Sequence, residues 1–188
     1  SIPSGHPLYA LNREPSVKRW FHDVTETMFY SMHESNFYTA LGEAFLDFTS
    51  FGTINLLLEE NDDTDKEFGG LAFTSIPTGQ FVFSEDKRGR PDTVFWEYVF
   101  TARQAKQMFG SKKLPDSIKK AIRESPDSKF TFVRVVLPSE DYKANSVDSK
   151  DKKYAALDIH YESKTIVRKS GFDELPYVIG RFEKASGE

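Results

Sequence analysis

From Pro15 onward, Val17, Trp20, Phe21, Val24, Met28 and Met32 recur at steps of three and four. That is the period of a helix with one buried face. Pro15 suits the first turn, where its missing N–H is not needed. Arg19, His22, Asp23 and Glu26 fall largely outside the stripe. Ser35 and Asn36 are residue types that cap helices, and a second stripe follows in Phe37, Leu41, Phe45 and Phe48, with Gly52 as its stop. So short a join predicts an antiparallel helical hairpin over 15–51. Trp20, Phe21 and Val24, with Phe37, Leu41 and Phe45, are expected to pack it against the rest of the fold.

Beyond Gly52 the period shortens. Residues 53–59, 70–77, 80–84 and 92–100 read as strands, separated by an acidic loop at 60–67, by Pro77-Thr78-Gly79 and by a charged turn around Gly89. In 92–100, Val94, Trp96, Tyr98 and Phe100 share one face, while Phe95 and Val99 flank Glu97 on the other. A strand apolar on both faces is expected to be covered on both. Thr101 can cap a short helix, 102–109, stopped by Gly110, and 115–123 makes another with Ile118 and Ile122 inward. Strands follow at 129–137, 154–161, 165–169 and 177–182, with a charged loop at 139–153. Regular strand–helix alternation is absent, which argues against a doubly wound parallel sheet. The expected class is α+β: the helical hairpin packed on a mostly antiparallel sheet with two inserted helices. A small antiparallel sheet can also curl into a barrel to hide its edges.

Composition narrows the function classes. The chain has 188 residues, 38% of them hydrophobic and 14% aromatic, which suits one sizeable folded domain and not a disordered chain. Lys and Arg number 25 against 29 Asp and Glu, a formal net charge of -4. Wrapping DNA by phosphate neutralisation calls for the opposite balance. There is no cysteine, so disulfides, thiolate zinc sites and cysteine nucleophiles are excluded. No apolar run approaches the roughly 20 residues of a membrane-spanning helix. Residues 1–14 read as an irregular lead-in without the features of a signal peptide. The first residue is Ser and the last is Glu188 after Ser186-Gly187, so a piece of a longer protein is expected.

Candidate chemistry is sparse. No phosphate-binding glycine loop, dinucleotide fingerprint, serine elbow or paired-histidine zinc motif occurs. His6, His22, His33 and His160 lack ligand spacing and read as ordinary surface or boundary histidines. Asp63, Asp65 and Glu67 alternate as calcium ligands do, but counting from Asp63 puts Phe68 and Thr74 where an EF-hand needs Gly and Glu. Lys87, Arg88 and Arg90 around Gly89 could hold a phosphate weakly, though Glu85, Asp86 and Asp92 bracket them. Trp96, Tyr98 and Phe100 could stack on bases, but no cation interleaves with them, and core packing is the better reading. Glu43 and Asp47 share a helical face and form the best carboxylate pair for a hydrolase. They lack a partner histidine. A hydrolase-type enzyme and a nucleic-acid-binding module stay open as alternatives, with no catalytic, metal-binding or cofactor residue assigned.

One ordered series says more. It runs Val17-Lys18-Arg19-Trp20, Ser35-Asn36-Phe37-Tyr38, Phe51-Gly52-Thr53, Glu59-Glu60, and Arg88-Gly89-Arg90-Pro91-Asp92-Thr93-Val94-Phe95. It continues through Phe100-Thr101-Ala102-Arg103-Gln104, Phe109-Gly110, Leu114-Pro115, Ser170-Gly171-Phe172, Leu175-Pro176-Tyr177, Gly180-Arg181-Phe182 and Gly187-Glu188. In order and spacing this resembles the head-to-tail connecting (portal) proteins of short-tailed bacteriophages, over roughly residues 17–188. The lead-in matches poorly.

The resemblance implies a structural subunit of a ring at one capsid vertex, through which double-stranded DNA enters in packaging and leaves on infection. It implies as partners other portal subunits, the packaging terminase, tail adaptors and capsid proteins, in the virion and in the host cytoplasm during assembly. It makes 15–188 a wing-like domain without the stem, clip and crown. The matched residues would be structural: Asn36 capping a helix, Gly52 and Gly89 turning the chain, Asp92 and Thr93 opening a strand, Thr101 capping the helix that carries Arg103 and Gln104. Catalysis and cofactors are not implied.

Overall fold

The computed structural model describes residues 14–61, 69–142 and 152–182. In chain order the elements are α1 (Pro15–Glu34), α2 (Phe37–Phe51), β1 (Thr53–Glu60), β2 (Leu71–Ser75), β3 (Phe81–Glu85), β4 (Pro91–Thr101), α3 (Ala102–Phe109), α4 (Asp116–Glu124), β5 (Lys129–Pro138), β6 (Tyr154–His160), β7 (Thr165–Phe172) and β8 (Tyr177–Arg181). The class is α+β, as the order of periods predicts. The strands form two antiparallel sheets, ordered β2-β1-β8 and β3-β4-β5-β6-β7. Neither closes into a barrel.

Three layers stack. Ala40 and Ala44 of α2 pack with Leu56 and Phe73 on one face of the small sheet. From its other face, Leu57 and Tyr177 meet Val94, Val136 and Ala156 of the large sheet. Farther along that inner face of the large sheet, Tyr98, Phe132 and Val167 lie under Ala102, Ala105, Ile118 and Ala121 of α3 and α4. The inner face is thus apolar at both ends, with one end beneath the small sheet and the other beneath the short helices.

Several local expectations hold. Gly52 ends α2 at φ +72, and its N–H donates to the Phe48 carbonyl at 2.9 Å. A glycine tolerates this left-handed geometry at little cost. Thr101 and Gln104 form a reciprocal capping box on α3: the Thr101 hydroxyl accepts from Gln104 N–H at 3.2 Å, and the Gln104 side chain accepts from Thr101 N–H at 2.8 Å. Asp92 and Thr93 lie at the start of β4.

Three expectations need correction. α1 is a helix of 20 residues, but none of them is buried. Trp20 and Phe21 are 59% and 58% exposed. Among the described residues the two helices meet the sheet through α2 and Asn36, so the stripe of α1 marks a shared face without a cover there. On α2 the buried residues are Ala40 and Ala44, and Phe45 is 52% exposed. Small side chains let the helix approach the sheet, so the contact line runs beside the large apolar residues. Asn36 occupies the first cap position of α2 but makes no capping hydrogen bond. Its side-chain amide donates to the Phe73 carbonyl at 2.7 Å and accepts from Phe73 N–H at 2.9 Å. It thereby acts as a one-residue strand neighbour for β2. Ser35 serves the helix end instead, its hydroxyl accepting from Phe37 N–H at 3.2 Å and donating to Met32 O at 2.7 Å.

Candidate functional site

Register places a polar cluster midway along the inner face of the large sheet. Trp96 of β4 pairs with Arg134 of β5, Arg134 with Asp158 of β6, and Asp158 with Arg168 of β7. Arg134 Nε donates to Asp158 Oδ1 at 2.8 Å, as does the Tyr98 hydroxyl at 2.8 Å. Arg168 Nε donates to Asp158 Oδ2 at 2.7 Å, and Arg134 Nη1 reaches Glu59 Oε1 of the small sheet at 2.9 Å. Arg134 and Asp158 are 3% and 1% exposed. Two cations thus meet two anions across both sheets, at the point where the apolar ends of the inner face divide.

Electrostatics follow from that enclosure. Burial alone would raise the Asp158 carboxyl, but the guanidinium of Arg134 and then that of Arg168 hold it below the usual carboxylate range. Burial would lower Arg134, but Asp158 and Glu59 raise it above its ordinary value. Desolvation, with the Asp158 charge second, pushes the Tyr98 hydroxyl up. A carboxylate with three donors and a depressed pKa makes a poor general base. The arrangement suits a structural ion network that ties the sheets together.

A cleft of about 590 Å³ opens beside it, lined by Glu59, Gln80, Trp96, Tyr98, Phe100, Met108 and Arg134 among others. His160, read from sequence as a surface or boundary histidine, is 2% exposed. Its Nδ1 lies 2.7 Å from the Ser163 hydroxyl and its Nε2 2.6 Å from Glu162 Oε2. Among the described residues, no cluster of three His, Asp or Glu could hold a metal. The acidic segment with Asp63, Asp65 and Glu67 lies outside the described residues, as does His6.

The other sequence candidates are scattered. Asp47 Oδ2 accepts from Thr78 N–H at 2.9 Å, so it anchors the turn between β2 and β3. In the basic turn, Asp86 Oδ1 accepts from the backbone N–H groups of Arg88 and Arg90 at 2.8 and 3.0 Å. Its Oδ2 takes Arg90 Nε and Nη2 at 3.0 and 2.8 Å. Those hydrogen bonds, the Arg90 backbone's first, bring the Asp86 carboxyl down to about 2. The amide nest expected to receive a phosphate already holds the chain's own carboxylate, which leaves Lys87 and the Arg88 side chain for any outside anion. Arg103 lies 4.0 Å from Asp127, both exposed. Arg181 pairs with Glu85 and lies over the Phe83 ring. Phe109 packs on Phe132, with ring centres 5.3 Å apart. Pro176 O accepts from Leu58 N–H at 2.8 Å. Gly171 sits where a Cβ would come within 2.8 Å of Lys152 Cβ. Tyr38 stands beside His33 at 3.4 Å.

The chain's sequence places it among known proteins. Residues 8–188 match the family of bacteriophage head to tail connecting proteins. This chain belongs to that family. It is 28% identical over 172 residues to a portal protein of Salmonella phage epsilon15, covering 89% of this chain and 30% of that protein. It is 22% identical over 183 residues to a probable portal protein of Bordetella phage BPP-1, covering 95% of this chain and 32% of that protein. The chain therefore spans about a third of the length of these relatives. No described helix is long and apolar enough to cross a membrane.

The polar cluster is what sequence reasoning missed. A signal was present. Arg134 shares the strand parity of Phe130, Phe132 and Val136, and Asp158 that of Ala156 and His160. A lone charge of each sign on the apolar parity of two strands points to a buried pair.

Proposed function

We propose that residues 15–188 form the wing-like domain of a portal subunit, a structural part of the ring that joins phage capsid to tail. The observation that carries this reading is the head-to-tail connecting family match over residues 8–188. In the parent ring, double-stranded DNA passes during packaging and ejection. The terminase, tail adaptors and capsid proteins dock on the assembled subunits, in the host cytoplasm and then in the virion. The domain has no enzymatic role: its most buried charges neutralise one another, and its basic turn is occupied by Asp86.

A domain of net charge -4 is expected to bind duplex DNA weakly and only at low salt, because non-specific affinity rests on phosphate neutralisation. Lys87 and Arg88, with less from Arg90, would carry what binding there is. The test is electron microscopy of the full-length subunit together with a DNA titration of the 188-residue chain. Closed rings with a central channel, and loss of DNA binding by physiological salt, are expected. A full-length subunit that stays monomeric at assembly concentrations, or sub-micromolar salt-resistant DNA binding by this chain, would sink the reading.

A further inference from the structure

Besides the outer side of α2 with Phe45, Leu46 and Phe51, two apolar surfaces of the described residues face outward. The first is α1, where Trp20, Phe21 and Met28 are 59%, 58% and 60% exposed. The second is the outer face of the large sheet. There Val82, Phe95 and Val135 lie side by side across β3, β4 and β5, while Leu157, next in line on β6, is buried. Val82, Phe95 and Val99 are 65%, 41% and 51% exposed. Glu97 stands between Phe95 and Val99 on that face, so the face is mostly apolar with one carboxylate, and an amphipathic helix needs a surface for its stripe.

The chain cannot readily bring its own two surfaces together. Asn36 hydrogen-bonds the end of α1 to β2, and α2 lies on the outer side of the small sheet. The large sheet lies beyond the small one, and stacked sheets are about 10 Å apart. α1 therefore departs on the opposite side of two sheets from the face that fits it. Sizes agree: a helix of 20 residues is about 30 Å long, and strands β4 and β5, of 11 and 10 residues, extend about 33–36 Å. Helix on sheet is also a standard packed layer pair.

We propose that α1 of one subunit lies across the outer face of the large sheet of the next subunit round the ring. The partner is a second copy of this chain, and the joint is heterologous, a helix on one side and a sheet on the other. Repetition of such a joint closes a ring when its rotation allows. This inference rests on the portal-ring reading above.

Thiol cross-linking in the full-length subunit tests it. These 188 residues contain no cysteine, so introduced thiols are unambiguous once any cysteine elsewhere in the subunit is changed to serine. Met28→Cys is combined in turn with Val82→Cys, Phe95→Cys and Val99→Cys, and assembled rings are treated with a short bis-maleimide. At least one double variant should give a ladder from dimer upward on a denaturing gel. The matching single variants should stay monomeric alone and give dimers only when mixed. Dimers from Met28→Cys alone would mean that helix meets helix, and an internally closed monomer would mean that α1 folds back on its own sheet. Either result overturns the proposal, as would rings seen by microscopy with no cross-link in any combination, which leaves the portal reading standing. Absence of rings altogether fails that reading too.

Discussion

The α3–α4 pair and α1 are both amphipathic, and their fates differ. α3 and α4 have only 8 and 9 residues, yet they bury Ala102, Ala105, Ile118 and Ala121. α1 has 20 residues and buries none. The cause lies in the connections. α3 continues directly from β4, and its first turn is held by Ala102 N–H donating to Ser128 O at 2.9 Å and Arg103 N–H to Pro126 O at 3.1 Å. The short pair can only fall on the sheet that its flanking strands belong to. Among the described residues, α1 is joined to the layers only at its C-terminal end, through Ser35, Asn36 and α2. A helical period fixes which residues share a face; the chain's connections decide whether anything within reach covers it.

That contrast can be broken from the sheet side first. Phe132 is fully buried and packs on Tyr98, Phe109 and His160, with ring centres 5.7, 5.3 and 5.6 Å away. Phe132→Ala should lower the stability of the 188-residue chain by about 3–5 kcal/mol, the range for truncating a buried Phe. Urea denaturation measures it, and a loss under about 1 kcal/mol would place the true core elsewhere.

Next in size is Asp158→Asn. It leaves two guanidinium groups without their shared anion, and one-sided removal of a buried pair costs about 3–5 kcal/mol. The lower end is expected because Asn keeps the shape and can still accept from Tyr98. The pH dependence has a definite sign. The Asp158 carboxyl is lower in the folded state than in the unfolded chain, whose ordinary value is about 3.9. Its stabilisation is therefore fully present above about pH 4 and is lost as pH falls through the folded value. Urea midpoints measured from neutral pH down to about pH 3 should fall less steeply in Asp158→Asn than in the parent. Equal slopes would mean that another carboxylate controls acid unfolding.

The elements themselves were legible from sequence because each carries its own period and its own punctuation. Gly52 ends α2, the Thr101 capping box opens α3, and Gly89 turns β3 into β4. Pairing was not legible. Nothing local says that β8 returns to β1 while β4 through β7 continue a second sheet, since strand neighbours are set by contacts far apart in the chain. The buried Arg134–Asp158 pair depends on that register and was missed with it. Asn36 shows the same limit at one residue. Its type predicts a cap, but the amide serves a strand 37 residues away, a choice that only the assembled layers impose.

The smallest expected effect bears most directly on the contrast. In the isolated chain, Trp20→Ala should change stability by less than about 0.5 kcal/mol, the usual value for an exposed site, although its place in the stripe predicts a core residue. The chain has 2 tryptophans, and Trp96, packed between the two ends of the inner face, is the other. A Trp96→Phe background therefore isolates the Trp20 signal. In the isolated chain an aqueous quencher such as iodide should reach that indole almost as freely as in a short peptide. In the assembled ring, if α1 lies on a neighbour's sheet, the same indole should be protected. A cost of several kcal/mol together with protected fluorescence in the monomer would mean that α1 finds its cover inside its own chain. The difference between the two helical regions would then be one of distance along the chain, not of which molecule supplies the sheet.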